Sequence, residues 1–275
     1  MMRRVFLALT LATIGSPLTA ATVDGVNVHS TSTGTGPATI VFVHGWTCDS
    51  SSWAGQVPAL AKTYRVITLD LPGHGQSGMP ADGKFSMDLF ARAVEAVRQE
   101  ADVERIVLVG HSMGVPVIRQ YARRYPQHVA ALVAVDGPLD MSQFGGGGAI
   151  PAPPPLTGAE GRAVREKMIR SMFVPETPAR LQQQILTMML KAPEATAAGA
   201  MAAMFDPGLR VADVTSVPAL AVYAGTAKMP DPAATKKALP NLESVQMTGT
   251  GHFLMMEKPD EFNRVLTEFL DKIRF

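Results

Sequence analysis

A single cysteine, Cys48, stands among the 275 residues, so no intrachain disulfide can form. No base or second thiol neighbours it in a nucleophile pattern. It reads as a small packing residue, with a disulfide-linked dimer as the lesser alternative. An excess of charge of one sign is also lacking: 25 basic residues against 24 acidic ones leave a formal net charge of +1. That balance gives no electrostatic footing for nucleic acid or an anionic membrane as partner. A metal-ligand cluster, a dinucleotide fingerprint and a P-loop are absent from the sequence, and no cofactor is expected. Apolar residues are plentiful instead. With 47% hydrophobic and 18% charged residues the chain can bury a sizeable core, and disorder is not expected.

Long hydrophobic runs are missing except at the start. There "MMRR" forms a basic stretch, "VFLALTLATIG" an apolar one and "SPLTAA" a run of small residues. This is the layout of a secretory signal peptide over residues 1–21, too short in its apolar part for a comfortable membrane span. Cleavage is expected after Ala20 or Ala21, with an uncleaved anchor as the alternative. The expected location is the periplasm or medium of a bacterium, with no stable membrane association after cleavage.

Beyond it, near-continuous apolar runs alternate with helical patterns. Ala38–Gly45, Arg65–Leu71, Arg105–Gly110, Ala130–Gly137 and Pro218–Gly225 read as parallel strands buried on both faces, and Leu242–Gly249 as a weaker one. Helices are expected over Trp53–Lys62, Ser86–Glu100, Met113–Tyr125, Pro232–Leu239 and Lys258–Ile273. Strict alternation implies an α/β fold with a doubly wound, mostly parallel sheet. "TVDGVNVHSTSTG" is expected to add an antiparallel hairpin at the sheet edge. The alternation breaks after Gly137: a Gly/Pro linker, Phe144–Gly158, leads into helical patterns over Ala159–Met172, Pro178–Lys191 and Glu194–Met204. These readings divide the mature chain into a core, 22–137 with 213–275, and a helical cap inserted at 138–212. Seven methionines in the cap read as gap-filling core, compatible with an adaptable apolar lining over a pocket.

"LVGHSMGV" carries the chemistry. Gly110-His111-Ser112-Met113-Gly114 matches G-x-S-x-G directly after a buried strand and before a helix, the context of a nucleophile elbow. Ser112 is the candidate nucleophile.

With this motif, "FVHGWTCDSSSW", "DLPGHGQS" and "GTGHFLMMEKPDEFN", the chain resembles the α/β-hydrolase fold superfamily over essentially all of residues 22–275. The resemblance is specific for fold and weakly specific for substrate. It implies a serine activated by a histidine later in the chain, and His252 occupies that place. It implies an oxyanion hole from the backbone N–H groups of Met113 and Trp46. The Trp46 indole has two readings, a wall of the acyl pocket or ordinary packing. Candidate substrate-binding residues are Trp46, His111, Phe253 and Met188. His44 and His74 read as supports of tight glycine-containing loops.

The triad acid is the irregular part. The family's usual position, in the loop after Pro218–Gly225, holds Lys228, whose ammonium would oppose an imidazolium. Asp231 lies three residues later, but aspartate before proline and a helical run is also an N-cap. Asp136 ends the strand after the nucleophile helix. Some members of the fold, including a subgroup of haloalkane dehalogenases, carry the acid there. Asp136 is the first candidate acid and Asp231 the second, ahead of Asp140 and Asp213 at the two ends of the cap. The expected activity is serine hydrolysis of an ester-like bond in a small, fairly apolar molecule, carboxylesterase first, with lactonase, carbon–carbon bond hydrolase and cofactor-free perhydrolase as variants. The rival is a degraded hydrolase fold used to bind or sense a ligand.

Overall fold

The computed structural model describes residues 15–18, 21–140, 142, 155–228 and 230–275. The greater part of the leader and most of the Gly/Pro linker lie outside them, as does Met141. The strands are β1 (Ser16–Leu18), β2 (Thr22–Val23), β3 (Val26–Asn27), β4 (Ser30–Thr33), β5 (Thr39–Val43), β6 (Arg65–Leu69), β7 (Ile106–His111), β8 (Val129–Val135), β9 (Ala219–Ala224) and β10 (Leu242–Met247). The helices are α1 (Val57–Leu60), α2 (Met87–Glu100), α3 (Gly114–Arg124), α4 (Gly158–Arg170), α5 (Ala179–Lys191), α6 (Glu194–Met204), α7 (Pro232–Ala238), α8 (Leu254–Glu257) and α9 (Pro259–Leu270).

Eight strands form one sheet in the order β1-β4-β6-β5-β7-β8-β9-β10. The six from β6 to β10 run parallel, and β4 joins β6 antiparallel. Every residue of β5, β7, β8 and β9 is buried, which is why these strands read as unbroken apolar runs rather than alternating ones. The chain passes from β5 to β6 on one side and then crosses back over β5 to β7 on the other, so the winding reverses at β5. The crevice outside the carboxyl ends of such strands is where this architecture binds ligands.

Register decides what meets there. Val43, Gly110, Ala134, Ala221 and Ser244 lie abreast across β5, β7, β8, β9 and β10. The residues two or three beyond that row, Trp46, Ser112, Asp136 and Ala224, therefore emerge side by side.

Two local expectations differ from the structure. The hairpin is a separate two-stranded pair, β2 with β3, turning through Asp24 and Gly25, both at positive φ. The Arg92–Asp24 ion pair ties that turn to α2, and the residues after it, Ser30–Thr33, extend the sheet. The helix expected over Trp53–Lys62 is broken into a 3₁₀ turn, Ser50–Trp53, and the single turn of α1. Gly55 and Pro58 interrupt the segment, and a glycine and a proline both weaken helix continuity.

The cap is α4, α5 and α6, between β8 and β9. Met189 and Met201 are buried in it, while Met168, Met172, Met188 and Met204 are half-buried against the core. At its return to the sheet, Asp213 accepts from Arg119 and Arg123 of α3, each at 2.8 Å.

Candidate active site

Ser112 sits between the end of β7 and the start of α3 with φ +52°, left-handed backbone that an L-residue adopts only when its surroundings enforce it. Two main-chain bonds do so: Ser112 N–H donates to the Val135 carbonyl at 2.9 Å, and the Ser112 carbonyl accepts from Val115 N–H at 3.0 Å. The flanking glycines follow from close approach. A Cβ on Gly110 would lie 2.4 Å from the Gly114 carbonyl oxygen, and one on Gly114 would lie 2.4 Å from the Val43 carbonyl oxygen. Gly114→Ala must therefore push α3 off the central strand. Overpacking of roughly 1–3 kcal/mol should lower Tm by about 2–10 °C. A thermal melt matching that of the unsubstituted protein would show that this approach does not constrain the elbow.

Asp136 follows β8 with φ +46°. Its N–H donates to the Val222 carbonyl at 2.9 Å, and its Oδ1 accepts from Ala224 N–H at 2.8 Å. Its Oδ2 lies 2.6 Å from His252 Nδ1. Burial acts to raise the Asp136 pKa. The hydrogen bond and charge of His252, with the Ala224 N–H, outweigh it and hold the carboxyl below its ordinary value. An ionised Asp136 accepts from Nδ1–H and so leaves the other ring nitrogen, Nε2, as the proton acceptor. Lys228 is exposed. Asp231 caps α7, its Oδ1 accepting from Ala233 N–H at 3.0 Å. Asp140 accepts from Ser142 within its own turn, and Asp213 is held by the two arginines of α3.

The peptide of His252 is held on both sides. Its N–H donates to the Met172 carbonyl of the cap at 3.0 Å, and its carbonyl accepts from His111 Nε2–H at 2.9 Å. The His111 and His252 rings lie 4.8 Å apart. Burial, then the neighbouring His252, push the His111 pKa down to about 3, so His111 stays neutral beside the His252 ring. Among the described residues Ser112 Oγ makes no hydrogen bond; in resting enzymes this contact is often long and tightens around the substrate.

The backbone N–H groups of Trp46 and Met113 are likewise engaged by no hydrogen bond among the described residues, although both residues are buried. Two such donors, one beside the serine and one on the adjacent loop, suit a developing oxyanion. His44 braces that loop: Nδ1–H donates to the Gly45 carbonyl at 2.8 Å while Nε2 accepts from Leu71 N–H at 3.0 Å. His74 donates to the Pro72 carbonyl at 3.0 Å. Both rings are fully buried, and burial lowers their pKa values, that of His74 to about 3.

Three of the four expected substrate contacts are buried. His111 is 1% exposed and Phe253 is fully buried, so each faces the packed interior around His252 rather than a substrate. Both rings pack against that of His252, at centroid distances of 4.8 Å and 5.6 Å. The Trp46 indole is buried and donates to the Ala197 carbonyl of α6 at 2.9 Å. Met188 is half-buried, its thioether 3.6 Å from Ser51 Oγ. Two further participants, the Ala224 N–H and the Met172 carbonyl, are backbone groups with no sequence signature. Among the described residues no cluster of His, Cys, Asp and Glu could hold a metal ion, and no helix is long and apolar enough to cross a membrane.

Residues 38–158 match the family described as alpha/beta hydrolase fold. The dihydrolipoyllysine-residue acetyltransferase component of the acetoin cleaving system from Cupriavidus necator is 30% identical over 91% of this chain. The chain covers 68% of that protein, and 65% of one so described from Pseudomonas putida, about two thirds of each. A 2-hydroxy-6-oxononadienedioate/2-hydroxy-6-oxononatrienedioate hydrolase from Cupriavidus pinatubonensis is 26% identical, over 88% of this chain and 90% of that one. A thermophilic esterase from Thermogutta terrifontis superposes with a TM-score of 0.74 at 24% identity, covering 94% of this chain and 98% of that one, a likeness of fold. The parallel sheet, the strained elbow after β7 and these relatives agree: the chain belongs to the α/β-hydrolase fold superfamily.

Proposed function

We propose that the protein is a serine hydrolase that cleaves an ester-like bond of a small, fairly apolar substrate through an acyl-enzyme, with simple carboxylic esters as first choice. The observation that carries the reading is the 2.6 Å contact of Asp136 with His252 Nδ1, at the sheet edge where Ser112 is held in its strained turn. In this mechanism His252 Nε2 takes the Ser112 proton as Oγ attacks the carbonyl carbon. The Trp46 and Met113 N–H groups receive the oxyanion. The alcohol leaves with the proton from His252, and a water activated by the same ring then releases the acid.

Chemistry narrows the alternatives within the superfamily. Opening an epoxide needs a carboxylate nucleophile, because the resulting ester can be hydrolysed; a serine would leave an ether that water does not cleave. A serine suits attack at a carbonyl, which esters, lactones and carbon–carbon bonds beside a ketone all offer. The half-buried methionines of the cap favour uncharged substrates.

The same proposal places the enzyme in the periplasm or medium, on the composition of residues 1–21. Cleavage after Ala20 or Ala21 would remove β1 and leave β4 as the sheet edge.

Labelling with a fluorophosphonate, mapped by mass spectrometry, tests the reading together with hydrolysis of p-nitrophenyl esters of graded chain length. The expected result is stoichiometric label on Ser112 and turnover of short to medium acyl chains. A folded protein that takes no label and turns over no ester would be a ligand-binding or sensing member of the fold.

A further inference from the structure

Two of the groups assigned to catalysis are fixed within the core. Ser112 is held by main-chain bonds to β8 and within α3, and Asp136 by β9. Two others are tied to the cap. His252 N–H donates to the Met172 carbonyl just after α4, and the Trp46 indole N–H donates to the Ala197 carbonyl of α6. One residue further back on α6, Thr196 Oγ1 donates to the Gly73 carbonyl at 2.8 Å, in a site closed to solvent. Trp46 thus carries an oxyanion donor on its backbone and a cap anchor on its side chain. Its neighbour Thr47 has φ +54°, and a β-branched residue keeps such a conformation only where its surroundings over-determine it. His44 fixes the loop before Trp46, and the indole bond fixes Trp46 itself.

We propose that the Trp46 indole is a positioning group for the oxyanion hole: α6 of the cap, through its Ala197 carbonyl, sets the direction of the Trp46 backbone N–H. The cap is then part of the catalytic frame as well as its cover. This inference rests on the serine hydrolase reading. A donor aimed at the oxyanion rather than at the ground-state carbonyl acts on the transition state, so a slackened donor lowers kcat and leaves KM in place.

Trp46→Phe keeps a buried aromatic ring and removes the N–H. Deleting an oxyanion donor outright costs about 10²–10³ in kcat, and a donor kept but loosened should cost about tenfold. KM should stay within about twofold, and a boronic acid, which forms a tetrahedral adduct on the serine, should bind about tenfold more weakly. Affinity for the product carboxylate should not change. Thr196→Val cuts the adjacent tie of α6 and should act in the same direction, by about threefold in kcat. Rates are taken per active site, titrated with fluorophosphonate. If the unsubstituted enzyme takes up no label, the hydrolase reading fails before this one is reached. If it titrates, and Trp46→Phe loses thermal stability but keeps kcat and boronic acid affinity, the indole is structural and the proposal is overturned. Should Trp46→Phe not fold, Thr196→Val decides alone: unchanged kcat and boronic acid affinity overturn the proposal, and a joint loss of both at constant KM supports it.

Discussion

Ser112→Ala is expected to abolish ester turnover, by on the order of 10⁵-fold or more in kcat, with the fold intact. The elbow is held by the bonds from Ser112 N–H to Val135 and from Val115 N–H to the Ser112 carbonyl, and both survive loss of the hydroxyl. Removing Oγ takes away the atom that would form the acyl-enzyme, and no other nucleophile neighbours it in the sequence. Cys48, the one thiol, is fully buried, and burial raises its pKa, which keeps it an unreactive thiol. Thermal melts should show a folded protein, and fluorophosphonate should not label it. Residual esterase activity above a few per cent of the unsubstituted enzyme would place the chemistry elsewhere.

Asp136→Asn is the second large effect, expected at about 10⁴-fold in kcat by analogy with loss of the acid from other serine triads. The isosteric amide can still accept from Ala224 N–H through its oxygen, so the loop should hold its shape. Its NH₂ then faces His252 Nδ1 across a contact that is 2.6 Å in the aspartate form. A donor at that point forces the ring proton onto Nε2, where it cannot accept the serine proton. Asp231→Asn should cost little, because asparagine caps a helix about as well as aspartate. Lys228 is exposed beyond the end of β9, the strand whose Ala224 N–H serves Asp136, so the two loops lie side by side. Lys228→Asp in an Asp136→Asn background should restore part of the lost rate. A silent Asp136→Asn with an inactive Asp231→Asn would sink the assignment of the acid.

Much of the fold was legible because its signals are local. Burial on both faces makes β5, β7, β8 and β9 unbroken apolar runs, and Ser86 marks the start of α2 through the bond its side chain accepts from Leu89 N–H. The three cap helices fall within two residues of their expected bounds at every end. The N-terminal hairpin and the helix after Trp53 were misplaced for a shared reason. A two-residue strand and a one-turn helix carry too little periodicity to say what they pack against.

The candidate site divides along the same line. Ser112 announces itself because a strained turn needs glycines two residues to either side, and that need is written into five consecutive letters. The acid could not be settled that way. Asp136 and Asp231 each end one element and precede another, and each has a complete local explanation. Only the register of β8 against β9, which brings Ala224 N–H to one oxygen of Asp136 and His252 to the other, separates a carboxylate facing the imidazole from a helix cap. His111 and Phe253 were misjudged because sequence adjacency to a functional residue says nothing of the direction in which a side chain leaves the backbone. The sequence by itself determined the candidate nucleophile and the layer architecture, since both depend on contacts within a few residues. Only the tertiary structure decided which candidate carboxylate meets His252, how His252 is braced and how Trp46 is tied to the cap, since each is a hydrogen bond between groups 88 to 151 residues apart or between backbone atoms that no letter of the sequence distinguishes.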